Sequence, residues 1–133
     1  MTAEIYWMTL TILMTALFWV PYVLDRHALR GVLPTLLDRK LEGGGLHSLW
    51  AQRMIRAHQN AVENLVLFVP LLLTAQVLNV STPATRMAAA VYFFARLAHF
   101  LVYTAGVPVA RTLAFAVGWA AQIAILASIL RWI

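Results

Sequence analysis

The stretch RMIRAHQNAVENLVLF, residues 53–68, places charged and amide side chains at the start of a long apolar run. Four of these polar residues recur at helical spacing: Arg53, Arg56, Asn60 and Glu63. An α-helix turns about 100° per residue, so the four side chains share an arc of roughly 80°. Charged groups in or near a bilayer are costly and therefore indicate a functional site. The stretch predicts a membrane helix with a functional polar face.

The composition is that of an integral membrane protein. Of the 133 residues, 62% are hydrophobic and 11% are charged, whereas soluble domains carry about 25% charged residues. The net charge of +5 is explained by basic loops on one side of a membrane, so no nucleic-acid partner is expected. Because cysteine is absent, any thiol chemistry needs a thiol that arrives with a ligand.

Apolar segments long enough to cross a bilayer as helices occur at four places in the sequence, at about residues 5–24, 46–78, 84–105 and 109–131. Ser81 or Thr82 can cap the third helix, with Pro83 in its first turn. The glycine run at 43–45 predicts a hinge or loop between the first two segments. We therefore predict that residues 1–133 form one all-α domain, a bundle of four transmembrane helices.

The distribution of basic residues predicts the orientation of the bundle. One side carries most of them: Arg26, Arg30, Arg39, Lys40, Arg53, Arg56 and Arg111. The opposite side has only Arg86 and Arg131. The positive-inside rule then places the first and third loops in the cytosol and both termini on the non-cytosolic side.

A second polar stripe lies on the third segment. Arg96, His99 and Tyr103 share an arc of roughly 60°, and Arg111 opens the fourth segment on the same side. Since neither stripe can face lipid, we expect the two to face each other, within one protomer or between neighbours.

The charges on these stripes do not balance. Arginine supplies the positive charges, at positions 53, 56, 96 and 111, while Glu63 is the only carboxylate. Unpaired buried charge costs several kcal/mol per ion, and the planar guanidinium binds carboxylates or phosphates bidentately. The sequence therefore predicts a polar anion bound between helices. The alternative, arginines that reach the headgroups or enforce topology, applies best to Arg26, Arg30 and Arg39.

Other site chemistries have little support in the sequence. No metal site is expected, because His47, His58 and His99 lack a close carboxylate–histidine arrangement. A Ser-His-Asp site is also not supported, since Asp25 and Asp38 fall outside the predicted spans. His58 points away from the polar stripe of its helix and is interpreted as a residue that packs or that supports the ligand-contacting side chains.

The patterns R-x-x-R-A-H-x-N-x-x-E-N at 53–64 and F-A-R-L-x-H-x-x-x-Y at 94–103 resemble the MAPEG superfamily, the membrane-associated proteins in eicosanoid and glutathione metabolism. Length, four spans and loop polarity agree with this resemblance over essentially the whole chain. The resemblance implies a homotrimer that binds glutathione between protomers near the cytosolic face. It also implies a lipophilic second substrate that enters from membrane lipid.

The resemblance carries specific roles onto residues of this sequence. Glutathione contacts fall on both polar stripes and on the first loop: Arg26, Arg56, Asn60, Glu63, Arg96, His99 and Tyr103. Arg30 is a rival to Arg26 as the contact from the first loop. Arg111 resembles the arginine that stabilises the thiolate, and Thr112 stands where some members have a serine hydroxyl near the sulfur.

The chain departs from the eicosanoid enzymes at particular positions. Gln59 replaces a basic residue of the prostaglandin E synthase-like members, and Phe115 stands where a glutathione-contacting tyrosine is common. A prokaryotic-type member in a bacterial inner membrane is therefore expected.

Three functions follow from this sequence as hypotheses. The first is a glutathione-dependent transferase or peroxidase acting on a lipophilic electrophile or hydroperoxide. The alternative is a non-catalytic membrane protein of the same fold that binds an anionic or lipid ligand. A small proton-coupled exporter is a poorer third, because Glu63 is its only mid-span acidic candidate and arginines accompany it.

Overall fold

The computed structural model describes residues 1–37 and 47–133. Its helices are α1 (Ala3–Leu17), α2 (Val20–Arg30), α3 (Val32–Leu36), α4 (Leu49–Val77), α5 (Pro83–Ala105) and α6 (Pro108–Ile129). Four helical spans are long and apolar enough to cross a membrane: α1 and α2 together, α4, α5 and α6. The predicted multi-pass integral membrane protein with four spanning helices is confirmed. The predicted loop with Asp38, Arg39, Lys40 and the glycine run lies outside the described residues.

The first span differs from the prediction in two ways, because it breaks at Phe18 and continues to Arg30. Pro21 explains the break: it has no N–H to donate to the carbonyl of Leu17, where α1 ends, and its ring crowds that carbonyl. Past the apolar segment the helix becomes amphipathic, so it continues where hydropathy alone predicted a loop. Asp25, predicted to lie outside the spans, therefore lies within this helical span.

The ends of α5 follow the predicted signals. Thr82 caps the helix with a reciprocal capping box to Thr85, and Pro83 occupies the first turn. At the other end Gly106 adopts φ +79°, in the left-handed region that glycine tolerates best. The predicted cap at Thr82 is confirmed, and the helix ends at Ala105, as the bounds 84–105 of the predicted segment indicate.

The helices α4 and α5 form the centre of the bundle, since each packs against α1, α6 and the other. Two apolar clusters fill the interior. The rings of Phe68 and Tyr92 stack at 3.7 Å in one cluster, and those of Phe18 and Phe100 stack at 3.6 Å in the other. Along α5, Arg96 lies between the two clusters, so the polar groups occupy a layer inside the bundle.

Side-chain contacts at both ends of the bundle hold neighbouring helices together. At the end near the N-terminus, Ser81 and Thr85 donate hydrogen bonds to the buried carboxylate of Glu4, at 2.9 and 2.7 Å. At the opposite end, which we call the basic end because it holds Arg30 and Arg53, Asp25 accepts hydrogen bonds from Ser48 N and Oγ at 2.9 and 2.6 Å. The Asp25 carboxylate thus fixes the first turn of α4, where a negative charge is favourable.

Candidate anion and thiol site

The site centres on Arg96, whose side chain is 2% exposed in the middle of the bundle. Its Nη2 donates a 2.7 Å hydrogen bond to Oδ1 of Asn60 on α4. On α6, Gly118 leaves room for the arginine, because a Cβ placed there would lie 3.4 Å from Arg96 Cδ. These two polar residues from different predicted stripes therefore meet within one chain.

Buried hydrogen-bonding capacity remains in this layer. Arg96 Nε and His99 Nδ1 are both buried and have no hydrogen-bond partner among the described residues. Within residues 1–37 and 47–133, Arg96 also has no carboxylate partner. Buried polar atoms in proteins are nearly always satisfied, so the layer is suited chemically to an anion with further acceptor oxygens.

A second group of site residues lies nearer the basic end, where α5 turns into α6. The guanidinium carbon of Arg111 lies 4.7 Å from the centroid of the Tyr103 ring, in a cation–π contact. His99 lies 5.5 Å from Tyr103 and 6.2 Å from Phe115, measured between ring centroids. The structure thus groups His99, Tyr103 and Arg111 beside the Arg96–Asn60 pair.

Thr112 does not join this group through its hydroxyl. The side chain is exposed, and Oγ1 donates a 3.1 Å hydrogen bond to the carbonyl of Pro108 one turn earlier. On a helix that turns about 100° per residue, Thr112 also points away from the direction of Arg111.

Arg56 and Glu63 face outward, away from the α5 stripe. Both are exposed, and neither makes a hydrogen bond or ion pair within the described part of the chain. The geometry of α4 explains this: Ala61 is buried against the core, and Glu63 lies roughly 160° around the helix from it. The polar residues of α4 span an arc of roughly 80°, so the residues at one edge of the arc face the interior and those at the other edge face outward.

Glu63 nonetheless lines a cleft on the outer surface between α2 and α4. Its other lining residues include Tyr22, His58 and Gln59, and its volume is about 350 Å³, within the range of small-molecule sites. The Tyr22 hydroxyl and His58 Nδ1 are 3.0 Å apart and hydrogen-bonded. His58, interpreted from the sequence as a packing residue, thus joins α4 to α2.

Two basic residues predicted to lie in the first loop belong instead to a helix, at the basic end of the bundle. Arg26 and Arg30 are both half-buried in the last turns of α2. His47 lies 3.5 Å from the Asp25 carboxylate, but no group of three possible metal ligands occurs among the described residues.

Two of the side-chain roles in the structure are not visible in the sequence. Arg53, predicted to join the anion site, donates from Nε to the carbonyl of Thr104 at 3.0 Å and so closes the end of α5. Asp25, which hydropathy placed outside the spans, holds the start of α4 through Ser48. The sequence near Gly106 is enough to predict that the helix ends there. It does not indicate that Arg53 of another helix contacts that end.

Comparison with known proteins identifies the family. The sequence profile of the MAPEG family matches residues 5–131. A search of curated proteins finds no match to this chain. Because the profile covers nearly the whole chain, and because the described helices give four membrane spans, this protein belongs to the MAPEG family.

Proposed function

We propose that this protein is a glutathione-dependent membrane transferase or peroxidase that acts on a lipophilic electrophile or hydroperoxide. The observation that carries the proposal is the buried guanidinium of Arg96, held by the neutral Asn60 and lacking a carboxylate partner among the described residues. Membership in the MAPEG family directs this anion site toward glutathione.

The charges of the site fit glutathione better than a simple anion. Arg53 is engaged by the end of α5, which leaves Arg56, Arg96 and Arg111 without a carboxylate partner in the described part of the chain. Glutathione carries two carboxylates and one ammonium group, and Glu63 is available for the ammonium. Arginine binds carboxylates bidentately, which fixes orientation as well as charge.

The proposed binding residues come from three helices. Arg56, Asn60, Glu63, Arg96, His99 and Tyr103 hold the tripeptide, with Arg26 or Arg30 contributing from the end of α2. Among these, Asn60 and Arg96 meet in the protomer interior, while Arg56 and Glu63 face outward. A ligand that contacts both sets bridges the inside of one protomer and a neighbouring surface.

Arg111 is proposed to stabilise the glutathione thiolate, and Thr112 assists once its hydroxyl leaves the carbonyl of Pro108. A free thiol has a pKa of about 8.5, so only a few per cent is thiolate at neutral pH. Lowering that pKa by about two units needs roughly 2.7 kcal/mol of differential stabilisation. An opposite charge within about 4–6 Å shifts a pKa by one to three units, so one guanidinium suffices. Tyr103 holds that guanidinium in place through the cation–π contact.

The proposed assembly is a homotrimer with glutathione between protomers. Arg56 and Glu63 are exposed on α4, a helix apolar enough to span the membrane. Charged groups facing hydrocarbon are costly, and a second copy of the chain packed against this face removes that cost. Native mass spectrometry of the purified protein tests the proposal: a trimer is expected, and a stable monomer or dimer contradicts it.

The orientation is proposed to have both termini on the non-cytosolic side of a bacterial inner membrane. The chain has no cysteine, so single cysteines introduced at Thr2 and at Val107 report accessibility directly. We expect an impermeant thiol reagent added from outside to label the first and not the second.

A second candidate function is a non-catalytic membrane protein that binds an anionic or lipid ligand. It is favoured by two observations: the Thr112 hydroxyl donates within its own helix, and the unreactive ring of Phe115 lies beside His99. Turnover separates the two functions. Purified trimer with glutathione should conjugate chlorodinitrobenzene or reduce a lipid hydroperoxide, whereas glutathione binding without turnover of either substrate supports the second function.

A further inference from the structure

A short turn joins the two residues of the proposed thiol site. Tyr103 lies in the last turn of α5, Arg111 lies in the first turn of α6, and residues 106–107 connect the two helices. The backbone N–H groups of Gly106 and Val107 donate to the carbonyls of Tyr103 and Val102, each at 3.0 Å. The last carbonyls of a helix lack partners in the helix itself, and that of Thr104 is one of them.

Arg53 reaches this turn from α4. Its Nε donates to the Thr104 carbonyl at 3.0 Å, and its guanidinium lies against Gly106. A Cβ at Gly106 would be 3.0 Å from Arg53 Nη1 and 3.1 Å from Arg53 Cζ, closer than ordinary contacts. Two independent features, the hydrogen bond and this close approach to a glycine at φ +79°, thus place the side chain in one position.

The position also suits the charge of the side chain. The C-terminus of a helix carries a partial negative charge that favours a cation, and α5 has no basic residue of its own in its last turn. Arg53 supplies that cation from a different helix. The charge of Arg53 therefore stabilises the end of α5. Arg56 on the same helix, by contrast, is exposed and has no partner among the described residues.

We propose that Arg53 is a positioning residue that clamps the α5–α6 turn and thereby sets Arg111 against Tyr103. The clamp itself is independent of any ligand, whereas its effect on turnover rests on the proposed glutathione chemistry. In this assignment Arg53 does not bind the tripeptide.

The clamp is tested with a spin label, which the cysteine-free chain makes simple. The label is attached to Val107→Cys in the full-length protein, and the variants are Arg53→Ala, Arg53→Lys and Arg86→Ala. We expect Arg53→Ala to lose the immobilised component of the label spectrum and Arg53→Lys to keep part of it. Arg86→Ala is the matched control, since Arg86 is an exposed arginine that donates to the carbonyl of Thr82 at the other end of α5. An unchanged spectrum in Arg53→Ala overturns the clamp.

If Arg53→Ala does not fold, Gly106→Ala provides the test in its place. The new Cβ displaces the guanidinium and strains the backbone at φ +79°, so the label should become mobile. Arg53→Lys should loosen the label when residue 106 is glycine and should change the spectrum no further when it is alanine. Additive effects of the two substitutions overturn the proposal, because they show that the turn and the arginine act separately.

Turnover distinguishes a positioning role from a purely structural one, because kcat would not change if Arg53 only stabilised the fold. We expect Arg53→Ala to lower kcat roughly tenfold with little change in KM for glutathione, since small misplacements of a catalytic group can cost up to about 10²-fold. The conservative Arg53→Lys should recover part of that loss. A mobile label together with unchanged kcat overturns the positioning role. If the parent protein shows no turnover, the proposed function fails while the label experiment still decides the clamp.

Discussion

Arg96 and Asn60 form a hydrogen bond of 2.7 Å between α5 and α4, from the guanidinium Nη2 to the amide Oδ1. This pair holds a cation in the bundle interior with a neutral partner. A carboxylate there would have neutralised the arginine and left no attraction for an anionic ligand. The amide of Asn60 thus accepts one hydrogen bond from Arg96 and leaves the positive charge of Arg96 unneutralised.

Substitutions at Asn60 test this separation. We expect Asn60→Ala to lower the free energy of unfolding by about 2 kcal/mol, because a hydrogen bond to a buried charged group is lost. Asn60→Asp keeps the acceptor and should retain stability, but it neutralises Arg96 and should weaken glutathione binding. Unfolding titrations in mixed detergent and calorimetry with glutathione measure the two effects. Equal glutathione affinity in Asn60→Asp and the parent would contradict the proposed role of the free charge.

Gly118 tests how closely α6 packs on Arg96. The Cβ of an alanine there would lie 3.4 Å from Arg96 Cδ and 3.7 Å from Ala95 Cβ. We expect Gly118→Ala to be tolerated or to raise stability by up to about 1 kcal/mol, through its greater helix propensity. Gly118→Leu has no such space and should destabilise the protein by about 1–3 kcal/mol. Thermal unfolding of both variants is the measurement, and a well-tolerated leucine would show that the arginine moves freely.

Glu63 is expected to act in binding and not in chemistry. Its carboxylate is exposed and lines the cleft between α2 and α4, where it can accept the ammonium group of glutathione. Glu63→Gln should raise the Kd of glutathione roughly 10- to 100-fold, the value of a charge-assisted hydrogen bond, and leave kcat at saturation nearly unchanged. Glu63→Asp retains the charge and should lose less affinity. A fall in kcat at saturating glutathione would move Glu63 into the chemical step.

Arg111 is expected to act in the chemical step. Arg111→Ala should lower kcat roughly 10²-fold, because the thiolate loses its electrostatic stabilisation, while glutathione affinity changes modestly. The direct measurement is the ultraviolet absorbance of the bound thiolate in the parent and in the variant. Arg86→Ala, at the other end of α5, serves as the control. If the thiolate signal survives in Arg111→Ala, the activating role passes to Thr112, Tyr103 or Arg26.

The sequence alone determined the membrane-spanning fold and the positions where α5 begins and ends. Long apolar runs specify spanning helices, because the hydrocarbon core has a fixed thickness. The core also contains no water, so the backbone must form its hydrogen bonds within the segment, as a helix does. Thr82 and Gly106 mark the ends of α5 through purely local chemistry. The sequence also places Asn60 on the polar face of one helix and Arg96 on the polar face of another. Because a polar face excluded from lipid packs against another polar face, a contact between these two faces was predictable.

Only the tertiary structure decided which polar residues share the interior. A helical arc specifies directions relative to its own axis, but the rotation of α4 against α5 divides that arc, so that Asn60 faces inward and Glu63 outward. The separate role of Arg53 depends on the end of α5 lying within its reach, and the role of Asp25 depends on Ser48 lying within its own. Such contacts join residues far apart in the chain, and no local pattern in the sequence encodes the distance between them.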